Sequence, residues 1–164
     1  MIVNSSWSKN LFLVGFCLIS SLTFSQDIAF KSSNFKDDKP GLKLAKENIE
    51  IANKMRDEGI DKILAMQEAN ILFIQAIFHY QKAQDFNPNN AVLNYKIGSC
   101  YLFTNQKEKA ADYLLRTMDL TSDYPSDFLF FYGMALQLQG NYLQAGEQFQ
   151  QFKLSVKSKL YERY

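Results

Sequence analysis

His79 is the only histidine in the chain, and imidazole is the side chain best suited to moving protons near neutral pH or to holding zinc. Either task needs partners at defined spacing: a carboxylate or nucleophile within reach, or further metal ligands. Along its own helical stretch His79 has Gln75, Ile77, Phe78 and Ala83 for neighbours, and none of these can polarise the ring or share a metal. A satisfied structural histidine is the expectation. Asp37–Asp38 and Asp57–Glu58 are paired acids, but each pair reads as a solvated loop or helix end. Lys107, Glu108 and Lys109 open a helix in the same way. No GxSxG, P-loop, HExxH, CxxC or GxGxxG motif is present. The expected role is therefore non-enzymatic, without catalytic residues, metal, cofactor or small-molecule substrate. An enzyme using Cys100 or His79 would need the Cys100 thiol to be accessible in the folded state.

The elements that carry these residues begin with a separate N-terminal segment. Lys9 precedes the apolar run "LFLVGFCLISSLTF", followed by small residues at Thr23 and Ser25. A positive charge, a short apolar stretch and small residues predict a secretory signal peptide over 1–25, cleaved after Ser25, with an uncleaved anchor as the alternative. The run is short for a bilayer span, which needs about 20 apolar residues. Bulky Phe16 before Cys17 argues against lipidation at that cysteine. Cleavage removes Lys9 and no acid, leaving 17 basic and 17 acidic residues, so nothing attracts nucleic acid or an acidic membrane from afar. Cys100 is then the only cysteine, no intramolecular disulfide can form, and a small core residue is its expected role. Gln26 at the new terminus could cyclise.

Of the 164 residues, 47% are hydrophobic and only 7 are glycine and 3 proline, which favours one helical domain over a turn-rich sheet. Residues 26–40 read as a polar linker closed by Pro40–Gly41. Leu42, Ala45, Ile49, Ala52 and Met55 then follow helical spacing, with Gly59 as the stop. A second helix is expected over Asp61–Phe86. Its "ILFIQAIFHY" stretch is apolar nearly all round, which predicts neighbours on more than one side. "NPNN" marks a turn, and further helices are expected at about 91–104, 107–121, 126–139 and 141–160. Short turns between six helices make neighbours antiparallel.

A repeat runs through this pattern. Asn94-x-x-Ile97-Gly98-x-x-Tyr101 precedes Ala110-x-x-x-Leu114, and 35 residues after Gly98 the pattern returns as Leu129-x-x-Tyr132-Gly133-x-x-Leu136, then Ala145-x-x-x-Phe149. Ala76-x-x-x-Tyr80, with Ala83 and Pro88, echoes the second half one repeat earlier. On these residues the chain resembles the tetratricopeptide repeat family from about 42 to 160. The resemblance implies an all-α, right-handed superhelix of about three antiparallel helix pairs, at about 41–90, 91–125 and 126–160. Gly98 and Gly133, facing Ala110 and Ala145, let paired helices approach and offset glycine's local penalty of roughly 1 kcal/mol. Gly140–Asn141 supplies a left-handed turn. Asn94 and Leu129 stand where that family typically has tryptophan, and Leu64 falls where the first repeat would have its glycine. A longer first pair, Gly41–Glu58 on Asp61–Phe86, accommodates this.

Such helical solenoids bind peptides or protein partners on a concave face formed by the first helix of each repeat. Carried onto this chain, those positions are Val92, Tyr95, Ser99 and Leu102, then Asp127, Phe130, Met134 and Gln137. Tyr95 and Phe130 are equivalent, so they should stack as exposed neighbours and act as anchors. Few basic residues fall on these positions, unlike repeats that clamp a terminal carboxylate. "YQKAQDFNPNNAVLNYKIGSCYL" is similar to the N-terminal repeat module of exported outer-membrane proteins of Bacteroidota, in which the module precedes a β-propeller and an OmpA-like, peptidoglycan-binding domain, and of which some serve type IX secretion. The resemblance implies an exported scaffold or adaptor in the periplasm or at the outer membrane. The alternative is a structural assembly subunit, or the front module of a longer OmpA-like protein. It would make contact through its last helix, where Phe149, Phe152, Leu154, Val156 and Leu160 lack a covering neighbour and suggest self-association.

Overall fold

The computed structural model describes residues 26–161, with side chains as far as Val156; the expected signal segment and the Leu160 side chain lie outside them. The described residues are all-helical: α1 (Lys39–Leu64), α2 (Asn70–Phe86), α3 (Ala91–Tyr101), a single 3₁₀ turn (Lys107–Lys109), α4 (Ala110–Leu120), α5 (Phe128–Leu138) and α6 (Tyr142–Tyr161). Consecutive helices pack closely as three hairpins, α1 with α2, α3 with α4 and α5 with α6, and α2–α3 and α4–α5 contacts join the hairpins in chain order.

Each boundary has a local cause. Pro40 sits in the first turn of α1, and Asp38 accepts a hydrogen bond of 2.8 Å from the Gly41 N–H. Asn90 caps α3 by accepting from the Leu93 N–H at 2.9 Å. Gly140, at φ +78°, makes the α5–α6 turn, where an L side chain would be strained. Gly59 does not stop α1. The helix runs on to Leu64 because Gly59 is buried against the Phe73 ring, and the chain turns instead at Met66, a non-glycine residue with φ 56°. The second helix accordingly starts nine residues later than expected, at Asn70.

Glycines register all three hairpins. A Cβ on Gly98 would lie 2.8 Å from Leu114 Cγ and 3.1 Å from the Ala110 carbonyl oxygen; on Gly133, 2.6 Å from the Phe149 ring; on Gly59, 3.0 Å from Phe73. In each hairpin the missing side chain of the first helix admits a large residue of the second. Tyr80, Phe73, Ile97, Cys100, Leu114 and Phe128 complete the core.

As expected, α2 has neighbours on more than one side, α1 and α3. Its remaining face is open, with Ile71, Ile74 and Phe78 exposed, whereas α3 is enclosed on nearly every side. Asn94 is the clearest case of that enclosure: its amide donates to the Pro88 and Asn90 carbonyls and accepts from Gln84, holding the α2–α3 corner by hydrogen bonds. Residues 26–38 are also anchored to this corner. Ile28 exchanges backbone and side-chain hydrogen bonds with Asn89, Asn87 and Asn90, Asp27 accepts from the Ala91 N–H at 2.9 Å, and Phe30 and Phe35 stack on Phe86.

Candidate functional site

Three first helices meet around one hollow. The last turns of α1 contribute Ile60, Ile63 and Leu64, α2 contributes Phe73, and α3 with its following residues contributes Ser99 and Phe103. Residues at the start and along the length of α5 close it with Asp127, Phe130, Phe131 and Met134. The resulting cavity holds about 390 Å³ and is almost wholly apolar, with Arg56 the only cationic residue in its wall. Leu64 and Phe130 are exposed at 76% and 39%, so the hollow is open to a partner. Volume and lining suit one or two apolar side chains.

The polar groups behind this wall form a chain across α1, α2, α3 and α5. The Arg56 guanidinium lies 5.9 Å over the Tyr95 ring, and its side chain is only 14% exposed. Tyr95 donates its hydroxyl hydrogen bond to Asp127, and burial followed by that carboxylate holds the phenol far above its ordinary range. Asn53 Oδ1 accepts from the Tyr80 hydroxyl at 2.8 Å and from Lys96 Nζ at 2.7 Å. Burial, then the nearby Arg56 charge, depress the Lys96 ammonium below the usual lysine value.

The sequence-derived positions divide between this cavity and other places. Ser99, Asp127, Phe130 and Met134 line it together. Val92 is exposed, but on a smaller hollow of about 240 Å³ with Phe30, Ile49 and Lys96. Leu102 is buried at the end of α3, and Gln137 is exposed away from both hollows. Tyr95 requires a correction. It is 4% exposed and does not stack on Phe130: its ring faces Phe128 and Phe131 at 6.2 and 6.1 Å, while Phe130 meets Phe131, Phe149 and Phe152. The close approach of α5 to α3 covers the face that helical spacing alone leaves open.

Sequence reasoning missed Arg56, Ile60, Ile63, Phe73, Phe103 and Phe131. Placing the end of α1 at Glu58 removed its contribution to the hollow, although the apolar spacing of Ile60, Ile63 and Leu64 was available as a signal.

Cys100 is fully buried, and burial pushes its thiol up to about 12. His79 Nδ1 is hydrogen-bonded to Asn48 Oδ1 at 2.9 Å across the first hairpin, and Asn48 Nδ2 donates in turn to the Leu44 carbonyl. Among the described residues no group of His, Cys, Asp or Glu is placed to hold a metal ion, and no helix is long and apolar enough to cross a membrane. Compared with protein-family models, curated proteins and solved structures, the chain finds no match.

Proposed function

We propose that this chain is an exported, tetratricopeptide-type scaffold that docks a protein or peptide partner in the periplasm or at the outer membrane, without catalysis. The observation that carries the reading is the open apolar cavity built from the first helices of three successive hairpins. The repeat-type superhelix is supported by the matched glycine contacts at Gly59, Gly98 and Gly133 together with the recurring sequence pattern. Export is supported by the composition of residues 1–25.

Leu64→Asp combined with Phe130→Ser places a charge and a hydroxyl at the mouth of the cavity. Used as immobilised bait for an envelope fraction, this variant is expected to lose the partner captured by the parent chain while keeping the parent's helical circular dichroism. Undiminished capture would refute docking in the cavity.

A second reading, assembly through the last helix, is favoured by the exposure of Leu143, Leu154 and Val156 on α6. It requires the reverse result, capture that survives the cavity substitutions and is lost with Leu143→Asp and Leu154→Asp.

A further inference from the structure

Lys46, Ile49, Asn53 and Arg56 follow one another at spacings of three, four and three, so they share one face of α1. That face looks across at Val92 and Lys96 of α3. Lys46 and Lys96 line the smaller hollow with Ile49 and Val92, and Arg56 stands on the wall of the larger one. The two hollows are thus joined by a strip carrying three cations.

The carboxylates nearby are already engaged elsewhere. Glu47 and Glu50 pair with Lys43 and Lys54, Asp127 accepts from Tyr95, and Asp57 meets Arg56 at 3.5 Å with 69% of its own side chain in solvent. Among the described residues Lys96 has no carboxylate partner; its ammonium donates to Asn53 Oδ1, an oxygen it shares with Tyr80. An ammonium has three donors, so two remain. Lys96 is half-buried in the wall of the smaller hollow, which it shares with a second cation, Lys46, and with no carboxylate, so an anion entering there meets a locally positive surface.

We infer that the partner segment carries an acidic side chain next to an apolar one, the carboxylate lying against Lys96 and Arg56 while the apolar group enters the cavity. The inference rests on the docking reading and gives it a chemistry. A carboxylate here would supply Lys96 with the counter-charge it lacks and accept charge-assisted hydrogen bonds from its ammonium. The apolar neighbour would gain from burial in the cavity.

The test is selection from a displayed library of random dodecapeptides against the full chain, the Lys96→Met chain and the Met134→Trp chain. Lys96→Met keeps the aliphatic stem and removes the charge; Met134→Trp fills the cavity. Thermal melts check that both variants are folded. The expected result is enrichment of Asp or Glu within a few residues of Leu, Ile, Phe or Met. Synthetic peptides of the selected sequences should bind Lys96→Met about tenfold more weakly, the order expected for losing a hydrogen bond to a charged group. Their Gln and Asn counterparts should bind parent and variant alike. Enrichment of apolar peptides without acids, blocked by Met134→Trp and indifferent to Lys96→Met, would overturn this inference and leave cavity docking standing. Selection of no sequence, or of sequences indifferent to both substitutions, would overturn both.

Discussion

Replacing a helical glycine by alanine should have opposite signs at two positions of this fold. Gly146, inside α6, has open space around the position of a Cβ, so Gly146→Ala gains helix propensity of about 1 kcal/mol and costs nothing in packing. Gly98→Ala gains the same propensity, but its Cβ would lie 2.8 Å from Leu114 Cγ and 3.1 Å from the Ala110 carbonyl oxygen. An ordinary carbon–carbon contact is roughly 3.5–4.0 Å, so the Leu114 contact is short by about 0.7 Å or more. Leu114 Cγ is a branch point close to the backbone, and the Ala110 oxygen is backbone itself. Neither can swing aside, so α3 and α4 must separate. Overpacking of this kind costs about 1–3 kcal/mol, which leaves Gly98→Ala less stable than the parent by about 1 kcal/mol. The two variants should therefore differ by about 2 kcal/mol, or about 8 °C in melting temperature. Urea unfolding followed by circular dichroism measures the difference directly, with unchanged m-values showing that the unfolded state is not involved. If Gly98→Ala is stabilised as much as Gly146→Ala, the α3–α4 crossing is not close, and the account of the hairpin register fails.

Two further outcomes can be checked with little material. In a Cys17→Ser background, Cys100 should resist a thiol reagent at mildly alkaline pH and react fully once the chain is unfolded, because the thiol is enclosed and held protonated up to about 12; rapid labelling of the folded chain would refute its enclosure. At high pH the fold should weaken, since burial raises the Tyr80 and Tyr95 phenols, and to a smaller degree Tyr101 and Tyr132, above the value of about 10 that they take when unfolded. Their contribution is complete below pH about 10 and is lost above it as the unfolded phenols ionise, whereas the depressed Lys96 works the other way and gains stability with rising pH below its unfolded value. Loss of helical signal should coincide with phenolate absorbance; ionisation of all tyrosines before unfolding would contradict their burial.

The local elements were legible because their signals are local. Apart from the break between α1 and α2, apolar spacing, Pro40, the Asn87–Asn90 turn and Gly140 marked the helices and their breaks to within a few residues, and Gly98 and Gly133 were recognisable as close-packing positions from what stood beside them in the repeat. Gly59 shows where that reasoning ends. A glycine near the end of an apolar run can stop a helix or admit a neighbour, and only the presence of Phe73 across the hairpin decides between the two. The same holds for the site. Spacing along α3 and α5 correctly brought Ser99, Asp127, Phe130 and Met134 into one group, but it assigned Tyr95 to the same open face.

The sequence by itself determined the helices, their order and the small residues that let them pair, because each depends on contacts within one turn or one hairpin. Tertiary structure alone decided that α1 extends to form a wall of the cavity, that α5 covers Tyr95, and that Lys96 lies half-buried near Arg56 with no carboxylate paired to it among the described residues. Those facts depend on how far one hairpin overlaps the next, a quantity set by side-chain packing among residues distant in the chain, for which no local spacing is a substitute.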